Sequence, residues 1–444
     1  MRAFLKSDRA RRVLVLALPV IGGMVSQNIL NLVDTAMVGT LGNAALAAVG
    51  IGGFAAFMAQ SLILGVATGV QAMAARRKGE LRLGETAYSL NGGLLLVWLA
   101  APVLSVLLYF LVPYLYPYIN SDPDVIAAGT PYLEARVLAI VFVGSNFAFR
   151  GYWNAVDLSR LYMWTLVVMH SSNIFLNYVL IFGNFGAPVL GVEGAGIATA
   201  LSTVIGTIVY LGLGLRYARE NGFLRGLPTP REMRTLIRLS VPNGIQQLFF
   251  SAGFMALYWI IGQVGTPELA AANVLINVML VAFLPGIAMG LVAATLVGQA
   301  LGRKDADDAA QWGWDVVKVA LLIMGLLGIP MWVTPGLVLH IFIHDPPTLE
   351  LALLPMQLTG FLVVMEAVGM VLMNALLGAG DNKRVMKVAI GMQWLVFLPL
   401  AWLVGPGMGY GLIGIWLLQG VYRAVQATVF ASMWKRHQWS KIKV

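Results

Sequence analysis

The sequence predicts an all-α polytopic membrane protein with twelve transmembrane helices in two six-helix lobes. Hydrophobic residues make up 59% of the 444 positions and charged residues only 11%, whereas roughly a quarter of a typical soluble domain is charged. Apolar runs of about 20 residues, enough to cross a bilayer as a helix, recur from one end of the chain to the other. These runs are continuous rather than alternating, which argues against a transmembrane β-barrel.

Twelve apolar runs are the predicted spans. A basic segment, "MRAFLKSDRARR", precedes the first run. We interpret it as a cytoplasmic tail, because the run behind it is too long for a signal peptide and no small-residue cleavage site ends it. In chain order the runs cover residues 13–38, 46–74, 87–114, 128–153, 161–184, 194–215, 239–263, 270–300, 314–343, 351–378, 387–405 and 410–433.

The basic residues lie almost entirely on one side of these spans. Under this assignment 26 of the 29 lysines and arginines fall in the two tails or in connections on the same side, and the opposite connections contain none. The positive-inside rule then places both termini in the cytoplasm, for which an even number of spans is required. We expect a multi-pass protein of the bacterial inner (plasma) membrane, and the net charge of +9 reflects this topology rather than nucleic-acid binding.

The two halves of the chain resemble each other. Residues 16–49 align without a gap with residues 239–272, so that Pro19 matches Pro242, and both segments carry the triplet LAA at the same place. We expect two lobes related by a pseudo-two-fold axis along the membrane normal, with a substrate site between them, as in other transporters built from such repeats. The predicted division is an N-lobe at 1–215, a cytoplasmic linker at 216–238 and a C-lobe at 239–444.

The first span carries an aspartate on a polar face. Gln27, Asn31 and Asp34 are spaced i, i+4 and i+7 and therefore share one side of a helix. An ionisable residue within the membrane faces protein or a water-filled cavity, and it indicates a functional site. The repeat places Leu257 at the matching position of the second half, so the fold itself does not require an acid there. A role for Asp34 in helix packing alone is the alternative.

Polar residues on the fifth and sixth spans complete the candidate proton site. Asn173 and Asn177 share a helix face with His170, and Thr199 on the sixth span lies at a similar depth. We expect Asn173, Asn177 and Thr199 to hydrogen-bond the ionised Asp34, with hydrogen bonds that only hold the helices together as the alternative. His170 is either a proton relay or a packed, neutral side chain.

Three further residues have predicted roles. Pro19 lacks one helix hydrogen bond, so we expect the first span to bend there. Glu366, well inside the tenth span, is expected to attract cationic substrates, with helix packing as the alternative. Gln246, one turn past Pro242, is expected to line the C-lobe cavity. The predicted substrate-binding residues are Gln27, Asn31, Asp34, Gln246 and Glu366.

Three motifs resemble those of one transporter family. They are "LALP" followed by "NLVDTAMVGTLG" within 16–42, "GLVAATLVGQALGRKD" at 290–305 and "LLGAGDNKR" at 376–384. Together they are similar to the multidrug and toxic compound extrusion (MATE) family, and the aspartate of the first span resembles its DinF-like branch. The resemblance covers about 14–434. It implies the MATE fold with a V-shaped cavity between two lobes, and export of cationic or aromatic drugs driven by proton or sodium entry.

The resemblance also bears on the coupling ion. Some relatives carry aspartate at the position of Asn177, so one candidate proton site is missing here. The tenth-span acid of the sodium-linked branch falls on Glu366, but its seventh-span glutamate falls near Phe250 or Ser251. An incomplete sodium site favours proton-coupled antiport by alternating access, with Asp34 as the protonation switch. Sodium-coupled antiport is the alternative.

Enzyme signatures are absent from the sequence. There is no cysteine and no phosphate-binding Gly-rich loop, and the one His-x-x-x-His spacing, His340 and His344, lies at an outer loop, so we expect neither an enzyme nor a metal, and no cofactor beyond an ion gradient. The expected partners are small cationic or aromatic drugs and membrane lipids, with no nucleic acid, and we expect a monomer. A flippase for lipid-linked oligosaccharides remains open, although its anionic substrate would require basic residues in the cavity. A channel would need a filter built by oligomers.

Overall fold

The computed structural model describes residues 7–343 and 345–444, and these residues form helices and short connections without a strand. The all-α prediction is therefore confirmed. The α-helices are α1 Asp8–Gly39, α2 Asn43–Gly79, α3 Tyr88–Ile119, α4 Pro123–Leu138, α5 Ile140–Ala155, α6 Ser159–Phe182, α7 Gly191–Tyr217, α8 Pro230–Gly262, α9 Thr266–Gly302, α10 Ala306–Val333, α11 Pro335–His340, α12 Pro346–Ala379, α13 Asn382–Gly391, α14 Leu398–Trp402 and α15 Gly411–Lys435. The π-helical stretch Met392–Phe397 joins α13 to α14, and a second one, Leu403–Gly407, continues α14, so that one longer segment results.

The described helices account for the twelve predicted crossings. Ten helical segments are long and apolar enough to cross a membrane. α4 and α5 pass the same length and apolarity test together, with a bend of 50° between them, and count as an eleventh crossing when taken as one broken span. α15 is the twelfth by length, since its 25 residues exceed the number needed to span a bilayer, although it carries Arg423.

Two predicted spans are interrupted. The predicted ninth span, 314–343, is two helices, because α10 ends at Val333 and α11 begins at Pro335. The residue before a proline is disfavoured in the helical conformation, and Thr334 is accordingly non-helical. The predicted fourth span, 128–153, is broken between α4 and α5 rather than straight.

The start of α8 lies inside the predicted linker. Pro230 is its first residue, a position where the fixed φ of proline is favourable. The backbone N–H of Thr229 donates to Glu232 Oε2 at 2.8 Å, and the N–H of Glu232 donates to Thr229 Oγ1 at 3.4 Å. This reciprocal capping box begins the helix well before the apolar run that marks the predicted span. At the other end of the chain, residues 1–6 of the predicted basic tail lie outside the described residues.

The chain divides into two compact units. One is Pro19–Leu248, and the other combines the described residues up to Leu18 with Phe249–Val444. α1 and α8 each contribute their first turns to one unit and their remainder to the other. These boundaries differ from the lobes expected from the sequence, whose division remains a prediction.

In the second of these units, ion pairs hold the start of α1. Arg9 Nη1 donates to Asp308 Oδ1 at 2.7 Å, and its Nε donates to Asp315 Oδ2 at 2.6 Å. The Arg9 guanidinium also lies 3.7 Å from the centre of the Trp312 ring, a cation–π contact. We call this group of residues the α1 anchor.

In Pro19–Leu248, an ion pair of the opposite polarity holds the start of α8. Glu232 accepts a hydrogen bond from Arg77 Nη2 of α2, and the Arg77 side chain is only 5% exposed. Glu232 and Arg9 lie just before the aligned segments of the two halves, with the same offset along the chain as Pro242 and Pro19. The same place in the repeat therefore carries a base in one half and an acid in the other, and each is neutralised within its own unit. We call the Arg77–Glu232 pair the α8 anchor.

Candidate functional site

The Asp34 cluster, which consists of Asp34, Asn173, Asn177 and Thr199, joins α1, α6 and α7 within Pro19–Leu248. Asn177 Nδ2 donates to Asp34 Oδ1 at 2.6 Å. Asn173 and Asn177 lie one turn apart on α6, and both are fully buried. Thr199 Oγ1 on α7 lies 3.3 Å from the Asn173 amide. The structure thus brings together the four residues that the sequence places in the candidate proton site.

Small residues let these three helices approach one another. A Cβ added at Gly23 of α1 would lie 2.8 Å from Leu166 Cδ1 of α6. A Cβ added at Gly194 of α7 would lie 2.6 Å from the carbonyl oxygen of Leu180, also on α6. The backbone contact at Gly194 leaves no room for a side chain, and the contact at Gly23 would require the Leu166 side chain to move; small residues serve the same purpose at helix interfaces in other membrane proteins. The Asp34 cluster therefore lies between closely packed helices.

The side-chain amide of Asn173 fits the cluster in two orientations. With its nitrogen toward Asp34, it donates to Oδ1 at 3.0 Å and its oxygen accepts from Thr199 Oγ1 at 3.3 Å. With its oxygen on that side, it accepts from Asn177 Nδ2 at 3.0 Å, while its nitrogen donates to Thr199 Oγ1 and Ser202 Oγ, each at 3.3 Å. The first orientation suits an ionised Asp34, which only accepts, and the second suits a protonated Asp34, whose O–H needs an acceptor.

A further acceptor is present in the same cluster. Asn177 Oδ1 is buried and has no hydrogen-bond partner among the described residues. A buried amide oxygen without a partner costs about 1–3 kcal/mol. The amide that donates to Asp34 therefore also retains an unused acceptor.

His170 connects α6 to the polar face of α1. Its Nδ1 lies 2.7 Å from Ser26 Oγ, and its Nε2 lies 3.0 Å from Gln27 Oε1. Because an amide oxygen only accepts, Nε2 carries the hydrogen, and Gln27 Nε2 in turn donates to Asn31 Oδ1 at 3.1 Å. His170 is buried, whereas Gln27 and Asn31 are exposed. The histidine is therefore the inner end of a hydrogen-bond chain along α1, and a relay role for it remains a prediction.

Sequence reasoning overlooked Arg136 as a neighbour of Asp34. This arginine of α4 interacts electrostatically with the Asp34 carboxylate. Its Nη1 donates to the Tyr132 hydroxyl at 2.9 Å, and its buried Nε has no hydrogen-bond partner in the described part of the chain. The sequence does contain a signal, because an arginine inside a span is costly unless it lies near an acid or other acceptors.

Glu366 belongs to the other unit and is paired. Arg423 Nη1 on α15 donates to Glu366 Oε1 on α12 at 3.1 Å. The Arg423 and Glu366 side chains are 12% and 8% exposed. The sequence-based role of Glu366 assumes an unpaired acid, whereas a guanidinium of the same unit balances its charge. The pairing was missed because the two residues lie 57 positions apart on different helices.

The remaining predicted residues, Pro19 and Gln246, are both buried. Pro19 lies inside α1, which is helical from Asp8 to Gly39, and it is the first residue of its unit. Gln246 lies on α8. Their roles as hinge and cavity residue remain predictions. Within the described residues, no three histidine, aspartate or glutamate side chains are grouped so that they could hold a metal ion.

Comparisons with known proteins agree with this architecture. The MatE family model matches residues 19–179 and again residues 242–403, as the internal repeat predicts. The chain is 28% identical over 437 residues to a probable multidrug resistance protein NorM of Pseudomonas aeruginosa, covering 96% of this chain and 89% of the relative. It is 26% identical to a protein of the same name from Thermotoga maritima, covering 92% of this chain and 88% of the relative. A crystal structure of MATE in the straight conformation matches with a TM-score of 0.89 at 19% identity, covering 99% of this chain and 98% of that one.

The family match extends over both halves of the chain. The structural likeness covers almost its entire length, which confirms the predicted MATE fold. The DinF-like branch, in contrast, is not specified by these matches and remains a prediction. On these grounds the chain belongs to the multidrug and toxic compound extrusion family of membrane transporters.

Proposed function

We propose that this protein is a secondary active exporter that exchanges protons for cationic or aromatic drugs by alternating access, with Asp34 as the protonation switch. Two of its relatives are described as probable multidrug resistance proteins, which supports drugs as the transported class. The observation that carries the proposal is the Asp34 cluster. In it, a carboxyl group within a membrane-spanning helix has partners for both its ionised and its protonated form.

Hydrogen-bond donors stabilise the ionised form. Asn177 Nδ2 at 2.6 Å and, in one orientation, Asn173 Nδ2 at 3.0 Å donate to the same carboxylate oxygen. Hydrogen bonds to a charged group contribute about 1.5–3 kcal/mol each, and Arg136 adds an electrostatic attraction. These interactions offset part of the cost of a charge within the membrane. The carboxylate is then able to attract a cation along the exposed face formed by Gln27 and Asn31.

The protonated form has an acceptor in the same place. An apolar environment favours the neutral form of a carboxyl group. When Asp34 takes up a proton, its new O–H has the Asn173 oxygen as a partner in the second orientation of that amide. Protonation removes the negative charge that attracts the drug cation. Proton and drug therefore compete for the same carboxyl group.

The proton gradient supplies the free energy of export. Each unit of pH difference corresponds to about 1.4 kcal/mol per proton, which is enough for roughly tenfold accumulation at one-to-one exchange. A ligand shifts a conformational equilibrium only by its differential affinity for the two states. In this proposal α1 bends at Pro19, which lacks one helix hydrogen bond, when Asp34 becomes protonated, and the drug is released.

Two observations favour protons over sodium ions. Amide nitrogens face the ionised Asp34 carboxylate, whereas hard metal cations are bound by several oxygen ligands. Glu366, the acid that the sodium-linked branch would use, is already paired with Arg423. Sodium-coupled antiport is the alternative. A flippase for a lipid-linked oligosaccharide is the other alternative. The guanidinium groups of Arg136 and Arg423 within membrane-spanning helices favour it, because its anionic substrate would require basic residues.

We also propose that the protein lies in a bacterial inner membrane as a monomer, with both termini in the cytoplasm. The support for this orientation is the placement of the basic residues, which follow every second span. The bacterial relatives support the choice of membrane.

Transport by purified protein in liposomes tests the coupling ion. Vesicles loaded with a fluorescent aromatic cation receive either a pH gradient or a sodium gradient, imposed separately, and Asp34→Asn serves as the inactive reference. We expect the pH gradient alone to drive movement of the dye against its concentration gradient. Movement driven by sodium alone would refute the proton assignment. Movement of a lipid-linked oligosaccharide, with no movement of the dye, would establish the flippase instead.

A further inference from the structure

The unit that contains Phe249–Val444 holds an ion pair that the proposed proton switch does not use. Glu366 on α12 and Arg423 on α15 are both largely buried, and their contact is the 3.1 Å hydrogen bond between Arg423 Nη1 and Glu366 Oε1. A carboxylate within a membrane-spanning helix needs either a proton or a positive partner. Here the chain itself supplies the positive partner.

Arg423 is held in place from several sides. Its Nη1 also donates to Gln426 Oε1 at 3.2 Å, and Gln426 Nε2 donates to the Tyr422 hydroxyl at 3.3 Å. The guanidinium carbon lies 5.2 Å from the centre of the Tyr422 ring and 5.9 Å from that of Phe283, within the range of cation–π contacts. The guanidinium is therefore positioned by its own surroundings and does not depend on Glu366 alone for its place.

The pair supplies charge compensation more than bonding. One hydrogen bond joins the two groups, whereas a bidentate arginine–carboxylate pair makes two. The buried Nε of Arg423 has no hydrogen-bond partner among the described residues. Arginine is not deprotonated in proteins, so its positive charge beside Glu366 is permanent. A mobile cation would have to displace the guanidinium to reach the carboxylate.

We infer that Arg423 is the resident counter-ion of Glu366 and determines the ion specificity of this unit. By occupying the carboxylate, it excludes both sodium ions and cationic drugs from Glu366. The role expected for Glu366 from sequence, attraction of cationic substrate, is replaced by this internal pairing. The inference deepens the proposed function, since it leaves Asp34 as the acid available to a cation. Its test measures binding rather than transport.

Removing the guanidinium should create a cation site. In Arg423→Gln, Glu366 loses its counter-charge, and a sodium ion should take that place. We expect the thermal unfolding midpoint of the detergent-solubilised full chain to rise by about 2 °C or more when sodium chloride replaces choline chloride at equal ionic strength. The wild type and the double variant Glu366→Gln/Arg423→Gln should not respond, because neither contains an unpaired carboxylate at this place.

A matched control removes a guanidinium from an exposed pair. Arg82 pairs with Glu85, and their side chains are 47% and 41% exposed, so Arg82→Gln should leave the sodium response unchanged. The inference is overturned if Arg423→Gln folds and responds to sodium no more than the wild type, or if the wild type itself responds through Glu366.

A second variant keeps the inference testable if Arg423→Gln does not fold. Glu366→Gln leaves the Arg423 guanidinium without its acid, so the site should now take an anion. We expect chloride to stabilise this variant relative to gluconate, by a shift of about 2 °C or more that the wild type does not show. Absence of that shift in folded protein would overturn the counter-ion assignment. Because neither measurement requires proton coupling, failure here and failure of the transport assay are separate outcomes.

Discussion

Replacing Asn177 by leucine tests whether the Asp34 cluster sets the proton affinity of the switch. The substitution keeps the number and branching of the side-chain heavy atoms but removes the amide nitrogen that lies 2.6 Å from Asp34 Oδ1. A hydrogen bond to a charged group contributes about 1.5–3 kcal/mol. Its loss disfavours the ionised form, while the Asn173 oxygen is still available to the protonated form. At about 1.4 kcal/mol per pH unit, the midpoint of the pH dependence of drug binding should therefore move about 1–2 pH units higher.

The assay is the affinity of detergent-solubilised protein for a fluorescent aromatic cation, measured by polarisation over a range of pH. In the wild type, affinity should fall as the pH decreases and Asp34 takes up its proton. Asn184→Leu is the matched control, since Asn184 Nδ2 donates only to the Tyr178 carbonyl oxygen at 2.8 Å in an exposed turn beyond α6. A midpoint for Asn177→Leu that is unchanged, or that moves to lower pH, would refute the reasoning.

Three further sets of substitutions test the switch, the α8 anchor and the helix packing. Asp34→Asn, which mimics the protonated form, should insert normally but abolish drug resistance of expressing cells, and Asp34→Glu should retain part of it; wild-type resistance from Asp34→Asn at equal expression would leave Asp34 as a packing residue. Arg77→Glu and Glu232→Arg should each lower the thermal unfolding midpoint, because a partly buried pair becomes like-charged. The double variant, in which the charges are exchanged, should recover most of that loss. If the losses of the two single variants simply add in the double variant, the α8 anchor is excluded. Gly65→Ala should lower thermal stability, since a Cβ there would collide with the backbone of α8, whereas Gly212→Ala, with no atom within 4 Å of its Cβ, should not; equal effects of both would contradict the packing account.

The number and type of the helices follow from local properties of the chain. Whether a segment is apolar and long enough to cross a bilayer depends on about 20 consecutive residues, so the spans can be read from the sequence one at a time. The repeat adds long-range information, because prolines and glycines that match between the two halves are expected at corresponding places in the two halves of the fold. Helix ends were predicted less well. The break at Thr334 follows from Pro335 and was recognisable, whereas the bend between α4 and α5 has no proline at its centre.

The candidate proton site was partly recognisable from spacing. Polar residues at i, i+4 and i+7 share a helix face whatever the rest of the fold does, so Gln27, Asn31 and Asp34 had to lie together. That α6 brings Asn173 and Asn177 to this face was an expectation based on membrane depth and on family resemblance. The two orientations available to the Asn173 amide, and the pairing of His170 with Gln27, depend on distances that no spacing rule supplies.

By itself, then, the sequence determined the all-helical class, the repeat and the presence of an acid within the first span, because each is encoded in neighbouring residues or in a regular offset. Only the tertiary structure decided which charges meet. Glu366 is neutralised by Arg423, and the first turns of α1 and α8 are held by ion pairs of opposite polarity. In the low-dielectric interior of a membrane protein, the effect of a charge depends on its partner within a few ångströms. That partner is set by how the helices pack, which the order of residues along the chain does not reveal.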